Sequence, residues 1–241
     1  ASWLLSVRYI NRTYPYIHIG LPRRGRADFF LLGQALKVGV PSSIAGLQYT
    51  VGMMLIQTLI NGFGADFIAG VNAGSKIDAF AFLALNSFSA AMSTYAAQNV
   101  GAGKLDRVGR GIKAGAALNC VVCIGLALIF VPLGRPIMEA LFGLTPAALD
   151  AGMAYLYRVM IPTFILGISY TIGGALNGAG AALFTTMSGI IALWVIRVPL
   201  AWWMAAHLGR DNMFIAYPVA WCASITMNGL YYLSGHWKNL N

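Results

Sequence analysis

The sequence predicts an all-α, polytopic membrane protein whose six transmembrane helices form one bundle. Three observations carry this. The composition is too apolar for water: of 241 residues 59% are hydrophobic and 10% charged, the mean hydropathy is +0.70, and a soluble domain carries about 25% charged residues. Six segments are long and apolar enough to span a bilayer, which takes about 20 residues at 1.5 Å each. The cationic residues between those segments collect on one side. The 28 glycines agree, because membrane helices associate through small residues that let backbones approach.

In chain order, the apolar Trp3-Leu4-Leu5 near the start reads as the cytoplasmic end of a preceding helix, which would make the chain part of a longer protein. Residues 1–37 would then comprise that end, a cytoplasmic linker and, at 28–37, an interfacial stretch in which Phe29, Phe30, Leu32 and Leu36 lie beside charge. A loop or a helix extension is the alternative there. Residues 38–241 would form the bundle. The first span, 39–60, opens at Pro41 and closes at Asn61-Gly62-Phe63-Gly64, a tight-turn sequence. The second, 67–98, would be about 48 Å long as one helix, so it must tilt or protrude. It stops at Gly101-Ala102-Gly103, since glycine readily takes the left-handed position that ends a helix. The third span is 112–132. The stretch 135–151 after it is interfacial, or else a loop or extension, and holds Thr145-Pro146, an N-cap followed by proline at the first helical position. The fourth span, 153–176, contains Pro162 and stops at Asn177-Gly178-Ala179-Gly180. The fifth, 181–206, contains Arg197 and Pro199, and Arg210-Asp211-Asn212 joins it to the sixth, 213–233. Pro41, Pro162, Pro199 and Pro218 mark helix starts or kinks, which transporters use at their moving parts.

Eleven loop cations fall on one side: Arg8, Arg12, Arg23, Arg24, Arg26, Lys37, Lys104, Arg107, Arg110, Lys113 and Lys238; the other side has two, Arg135 and Arg210. The richer side should be cytoplasmic, with both chain ends there. Trp202 and Trp203 at one membrane face and Trp237 at the other suit an aromatic belt.

The net charge of +9 is explained by this loop bias, and no basic patch with interleaved aromatics points to nucleic acid. Cys120 and Cys123, spaced as CxxC, lie in an apolar run with no second pair, and Cys222 lies in another; they read as small buried hydrophobes rather than redox or zinc ligands. Gly103-Lys104 fails as a phosphate loop, with Gln98 and Leu105 at the required glycine and hydroxyl positions. No His or carboxylate cluster has metal spacing; His18, His207 and His236 sit near loops or helix ends. The sequon Asn11-Arg12-Thr13 is discounted on the cytoplasmic side. Catalytic residues, metals and organic cofactors are not expected.

The informative residues are ionisable groups at membrane depth, where a charge costs at least about 2.5–3.5 kcal/mol and therefore faces a partner or a water-filled cavity. Asp78 is the one carboxylate deep within the six spans, and Lys76 lies two residues before it. Asp78 either binds a coupling cation, with Lys76 as counter-charge or competing occupant, or forms a structural ion pair. Asn72, Ser75 and Asn86 are small polar groups nearby. Arg197 reads as architectural, bonding carbonyls freed near Pro199, and Arg158 as snorkelling outward. Gln48, Tyr49, Gln57, Asn86, Tyr155, Tyr170, Met53 and Met54 are candidates to line a substrate cavity.

The motif order Pro41, Asn61-Gly62-Phe63-Gly64, Lys76-Ile77-Asp78, Gln98-Asn99-Val100-Gly101-Ala102-Gly103-Lys104 with Arg107, Pro162, Gly178-Ala179-Gly180 and Arg197-Val198-Pro199 resembles the C-terminal half of the multidrug and toxic compound extrusion (MATE) family of efflux transporters. The resemblance spans residues 29–237, and the Gln-Asn-x-Gly-Ala-Gly segment is its most specific piece. It implies a twelve-helix protein of two six-helix bundles that exports drugs or other cationic or amphipathic small molecules against a proton or sodium gradient, with a bacterial plasma membrane as its site. These six spans would be the second bundle, its partner the absent N-terminal one. The acidic residue that some members place in the seventh or tenth helix has no counterpart in 39–60 or 153–176, so coupling would fall to Asp78 or to the first half. A flippase for lipid-linked sugars would want several cavity cations, and these spans offer few. A non-transporting membrane module or channel subunit would assemble without gradient coupling.

Overall fold

A computed structural model describes residues 2–13 and 29–239. His18 and the linker residues Arg23, Arg24 and Arg26 lie outside the described residues, as do the side chains of 2–5, 29–32, 34–45 and 239, Pro41 among them. The chain divides into two compact units, Ala1–Ile44 and Ala45–Asn241. The first holds helix α1 (Ser2–Thr13) and the start of α2 (Phe29–Asn61). The second continues with α3 (Ala65–Gly101), α4 (Leu105–Phe142), α5 (Pro146–Tyr155), α6 (Thr163–Gly178), α7 (Ala182–Ile190), α8 (Val198–His207) and α9 (Ala216–Ser234). Every regular element among the described residues is helical.

Four helical stretches of the described residues are long and apolar enough to cross a membrane: α3, α4, Ala182–His207 and Arg210–Ser234; the bent pair Pro146–Met160 and Thr163–Gly178 makes a fifth. The remaining expected span lies within α2, helical over 33 residues. Large apolar side chains such as Leu83, Leu128, Leu183, Val195 and Leu230 are exposed on the outside, a surface that suits lipid and not water.

The two stretches expected as interfacial, with a loop or helix extension as the alternative, are helix extensions apart from the break at 143–145. Residues 29–37 begin α2, and 135–142 end α4, which runs through Pro132 and Pro136. Gly143 stops α4 in the left-handed region (φ 56°), with its N–H on the Glu139 carbonyl at 3.0 Å. Thr145 caps α5 by accepting from the Ala148 N–H, with Pro146 at the first helical position.

The two glycine motifs end helices by the same device. Lys104 N–H bonds Asn99 O and Gly103 N–H bonds Val100 O; Ala181 N–H bonds Leu176 O and Gly180 N–H bonds Asn177 O. Gly103 (φ 71°) and Gly180 (φ 92°) take the left-handed position this paired closure needs. The Asn99 side chain ties Nδ2 to Tyr95 O, and Tyr95 Oη reaches Arg107 O. The Gln98–Arg107 segment is therefore a braced reversal between α3 and α4.

Proline explains the two interruptions. A proline inside a helix lacks an N–H and its ring clashes with the carbonyl four residues back. Ahead of Pro162 and Pro199 the chain widens into π-helical turns, Leu156–Met160 and Ile191–Arg197, where Ile161 N–H reaches Leu156 O and Val198 N–H reaches Leu193 O, five residues back. The first break bends the span by 44°.

Helix α3 is the hub, packed on α4, α5 and α6. Its approach to neighbours is set by glycines: a Cβ on Gly70 would lie 1.9 Å from Ala148 O, and one on Gly178 would lie 2.0 Å from Ser93 O. The main core gathers Phe67, Ile77, Leu85, Met138, Leu156, Met160 and Phe214. Trp237 belongs to a second core with Ala96, Val108 and Leu176. This corrects its expected place in an aromatic belt: Trp237 is buried, stacks on Tyr232 and donates Nε1–H to Tyr232 O, because the chain after α9 turns back at Gly235. Trp202 and Trp203 are exposed.

Candidate functional site

Asp78 sits near the middle of α3 and is 1% exposed, the one carboxylate buried among the described residues. Its Oδ2 accepts from the Tyr155 hydroxyl at 3.1 Å, while Oδ1 is buried with no hydrogen-bond partner. Tyr155 ends α5, just before the π turn, and its position is fixed by edge contacts with the rings of Phe214 (5.1 Å) and Tyr217 (6.4 Å). Tyr217 in turn carries the Arg197 guanidinium, whose carbon lies 3.3 Å from the ring centroid. Arg197 closes the second π turn. Both proline-induced breaks thus deliver a member of one cluster, Asp78, Tyr155, Tyr217 and Arg197, drawn from four elements. Such turns often sit at functional sites.

The cluster differs from the sequence expectation in its cation. Lys76 is exposed and makes no ion pair with Asp78 among the described residues. Residues two apart on a helix face away from each other, and the lysine stem does not bridge that difference. Arg197 is the cation whose field reaches Asp78. Its expected bonds to carbonyls near Pro199 are not made: Nε is buried without a partner, since the π turn closes its own carbonyls through the wider ladder. Asn72 and Ser75 also stand apart from the carboxylate. Asn72 is exposed, and Ser75 donates to the Asn72 carbonyl at 2.8 Å. Arg158 bonds Ala154 O and the Asn212 side chain.

Beside the cluster lies a cavity of about 300 Å³ between α2, α3, α6, α7 and α9. Gln48, Tyr49 and Tyr170 line it, as the sequence reading expected, and Arg197 opens onto it. Gln57 and Asn86 are not among its lining residues: Gln57 Nε2 bonds Asn61 Oδ1 and Asn86 Nδ2 bonds Phe82 O, each on its own helix. Met53 and Met54 also lie elsewhere, and Tyr155 serves Asp78 instead. Sequence reasoning missed Ser169 and Ser224, whose hydroxyls meet at 3.0 Å on the cavity wall, and Asn228, which donates to Ser224. Their signal was small polar residues inside apolar spans. It also missed Asn119, fully buried in α4, whose Nδ2 clamps Gly167 O and Thr171 Oγ1 of α6.

The cysteines are free, with Cys123 buried against Asn119, and no group of His, Cys, Asp or Glu among the described residues could hold a metal ion in the manner of a metal centre.

Residues 41–203 match the MatE family. The chain belongs to the MatE family. Its relatives include "Probable multidrug resistance protein YpnP" of Bacillus subtilis, 29% identical over 237 residues, which cover 98% of this chain and 52% of YpnP. "Probable multidrug resistance protein NorM" of Thermotoga maritima is 24% identical over 207 residues, 85% of this chain and 44% of NorM. The chain thus spans about half the length of the curated relatives it matches. A MOP superfamily transporter from Pyrococcus furiosus shares the fold at a TM-score of 0.70 and 15% identity, covering 80% of this chain and 43% of that one. This MatE chain is an all-α polytopic integral membrane protein. The motif residues Asn99, Gly103 and Gly180 serve its helix reversals, and Pro162 and Pro199 follow its two π turns.

Proposed function

We propose that this MatE chain is the second six-helix bundle of a cation-coupled efflux transporter for amphipathic small molecules. Asp78 is its coupling residue, and the ion is a proton or sodium. The observation that carries this reading is the buried Asp78 carboxyl with one oxygen held by Tyr155 and the other open. A carboxylate at membrane depth is retained against a cost of at least about 2.5 kcal/mol, and a buried carboxylate oxygen that no protein group fills is where a small cation can bind and leave. The relatives' names as multidrug resistance proteins support export of small molecules. A partner bundle, N-terminal to this one, would supply the other wall, because alternating access rocks one repeat against another. The protein would lie in a bacterial plasma membrane.

The test uses the full-length protein in proteoliposomes with an imposed pH or sodium gradient and a fluorescent amphipathic substrate. Export follows one of the two gradients, and residues 1–241 alone do not export. Gradient-independent flux, or transport by the chain alone, overturns the reading in favour of a channel subunit.

The same reading puts both chain ends in the cytoplasm, on the charge bias of the loops. With the native cysteines replaced, Leu105→Cys should react with an impermeant maleimide from the cytoplasmic side only. Labelling of intact cells from outside reverses the topology.

A further inference from the structure

Arg197 is 7% exposed and sits in a span, so its charge has to be answered by something. In a structural role the guanidinium would be paired with Asp78. That pair is not made: the ion pairs among the described residues are Arg135–Asp150 and Arg210–Asp211, and both Arg197 Nε and Asp78 Oδ1 are left without partners. Stacking on Tyr217 occupies the face of the guanidinium, where a cation meets an aromatic ring. It does not use the N–H groups, five donors lying in the guanidinium plane. No hydrogen bond from Arg197 to the protein is formed among the described residues, and the side chain lines the cavity.

The rest of the wall has a consistent polarity. Among the described residues no Asp or Glu lines the cavity, and Arg197 is the one charged residue on its wall. Ser169, Ser224 and Gln48 offer hydroxyl and amide groups, and Tyr49, Tyr170 and Trp221 offer aromatic surface. A small organic cation would meet the like charge of Arg197 on the wall itself, with Asp78 set behind the lining and not on it, in a medium that screens little. A planar carboxylate fits the guanidinium fork with two parallel hydrogen bonds, the strong arrangement for this pair. The volume of about 300 Å³ is at the lower end for ligand sites, which span roughly 300–1,000 Å³, and suits one or two fused rings with a single acidic group.

We propose that this cavity is an anion subsite, in which Arg197 binds the carboxylate of an amphipathic aromatic acid whose ring lies against the tyrosine and tryptophan surface. The proposal rests on the cavity being the substrate site of an exporter and narrows its substrate class to organic anions.

Binding decides it without any gradient, so its outcome is separate from whether export occurs. The full-length protein in phosphatidylcholine nanodiscs is titrated with three matched probes: 2-naphthoate, 2-naphthamide and 2-naphthylmethylammonium. The expected result is that the carboxylate binds at least about tenfold more tightly than the other two, the scale of one charge-assisted pair. Arg197→Gln removes the preference and Arg197→Lys keeps part of it, both variants being checked for an unchanged unfolding temperature. If Arg197→Gln fails to fold, the probe series on the wild type and on Arg197→Lys still decides. Equal affinities, preference for the cation, or a preference that survives in Arg197→Gln overturns the proposal. Loss of the preference when phosphatidylglycerol replaces part of the lipid assigns the site to a lipid phosphate and overturns the solute reading.

Discussion

Asp78→Asn in the full-length protein should reduce gradient-driven export about 5- to 150-fold, the range of a coupling free energy of ~1–3 kcal/mol, with the fold unchanged. The substitution is nearly isosteric. The asparagine carbonyl still accepts from Tyr155 Oη, so the contact that spans 77 residues of sequence between α3 and the end of α5 survives. What is lost is the open oxygen, which as a carboxylate takes up a proton or a sodium ion and as an amide takes up neither. Export measured with and without the imposed gradient separates the roles. A coupling residue loses the gradient dependence at constant unfolding temperature. A structural residue loses thermal stability while the dependence on the gradient persists, and that outcome would sink the coupling assignment.

Gly178→Leu should prevent stable folding of the bundle, costing more than the 1–3 kcal/mol or so typical of overpacking. The reason is the identity of the neighbour. A Cβ on Gly178 meets Ser93 O at 2.0 Å and Ser93 C at 2.8 Å, and a Cβ on Gly174 meets Ser89 O at 2.4 Å. These are backbone atoms of α3 with no rotamer to change. Four residues apart, the two glycines lie on one face of α6, the small-xxx-small arrangement by which membrane helices come close. A leucine there forces α6 from the hub helix and separates Tyr170 and Ser169 from the rest of the cavity wall. Gly125→Leu is the control, since nothing lies within 4 Å of its Cβ position. Yield of monodisperse protein in detergent and the unfolding temperature report the difference. Equal stability of the two variants would mean that α3 and α6 stand farther apart than described.

The match of spans to helices follows from the strength of the signals that set them. An apolar run of bilayer length has one stable form in lipid, because its backbone must bond to itself. The reversals at Gly103 and Gly180 were legible because the left-handed position needs glycine. Asp78 was legible because a lone carboxylate in an apolar run is costly wherever it points. Gln48, Tyr49 and Tyr170 were found as polar groups in apolar spans, but the same reasoning also selected Gln57 and Asn86, which bond their own helices. Polarity gives depth in the sequence and not facing.

Sequence alone, then, determined the class of the protein, the order of its apolar spans, the glycine stops at Gly103 and Gly180 and the one deep carboxylate. Tertiary structure decided the company of that carboxylate: Tyr155 and the field of Arg197, 77 and 119 residues farther along the chain, and not Lys76 two residues away. The physical reason lies in the solvent. In water a helix shows its inward face as an apolar stripe. In lipid the outward face is as apolar as the inward one, so the pattern along α3 does not say which residues meet. That was settled by glycine contacts that fix how the helices approach, and by two π turns that rotate Tyr155 and Arg197 into one cluster.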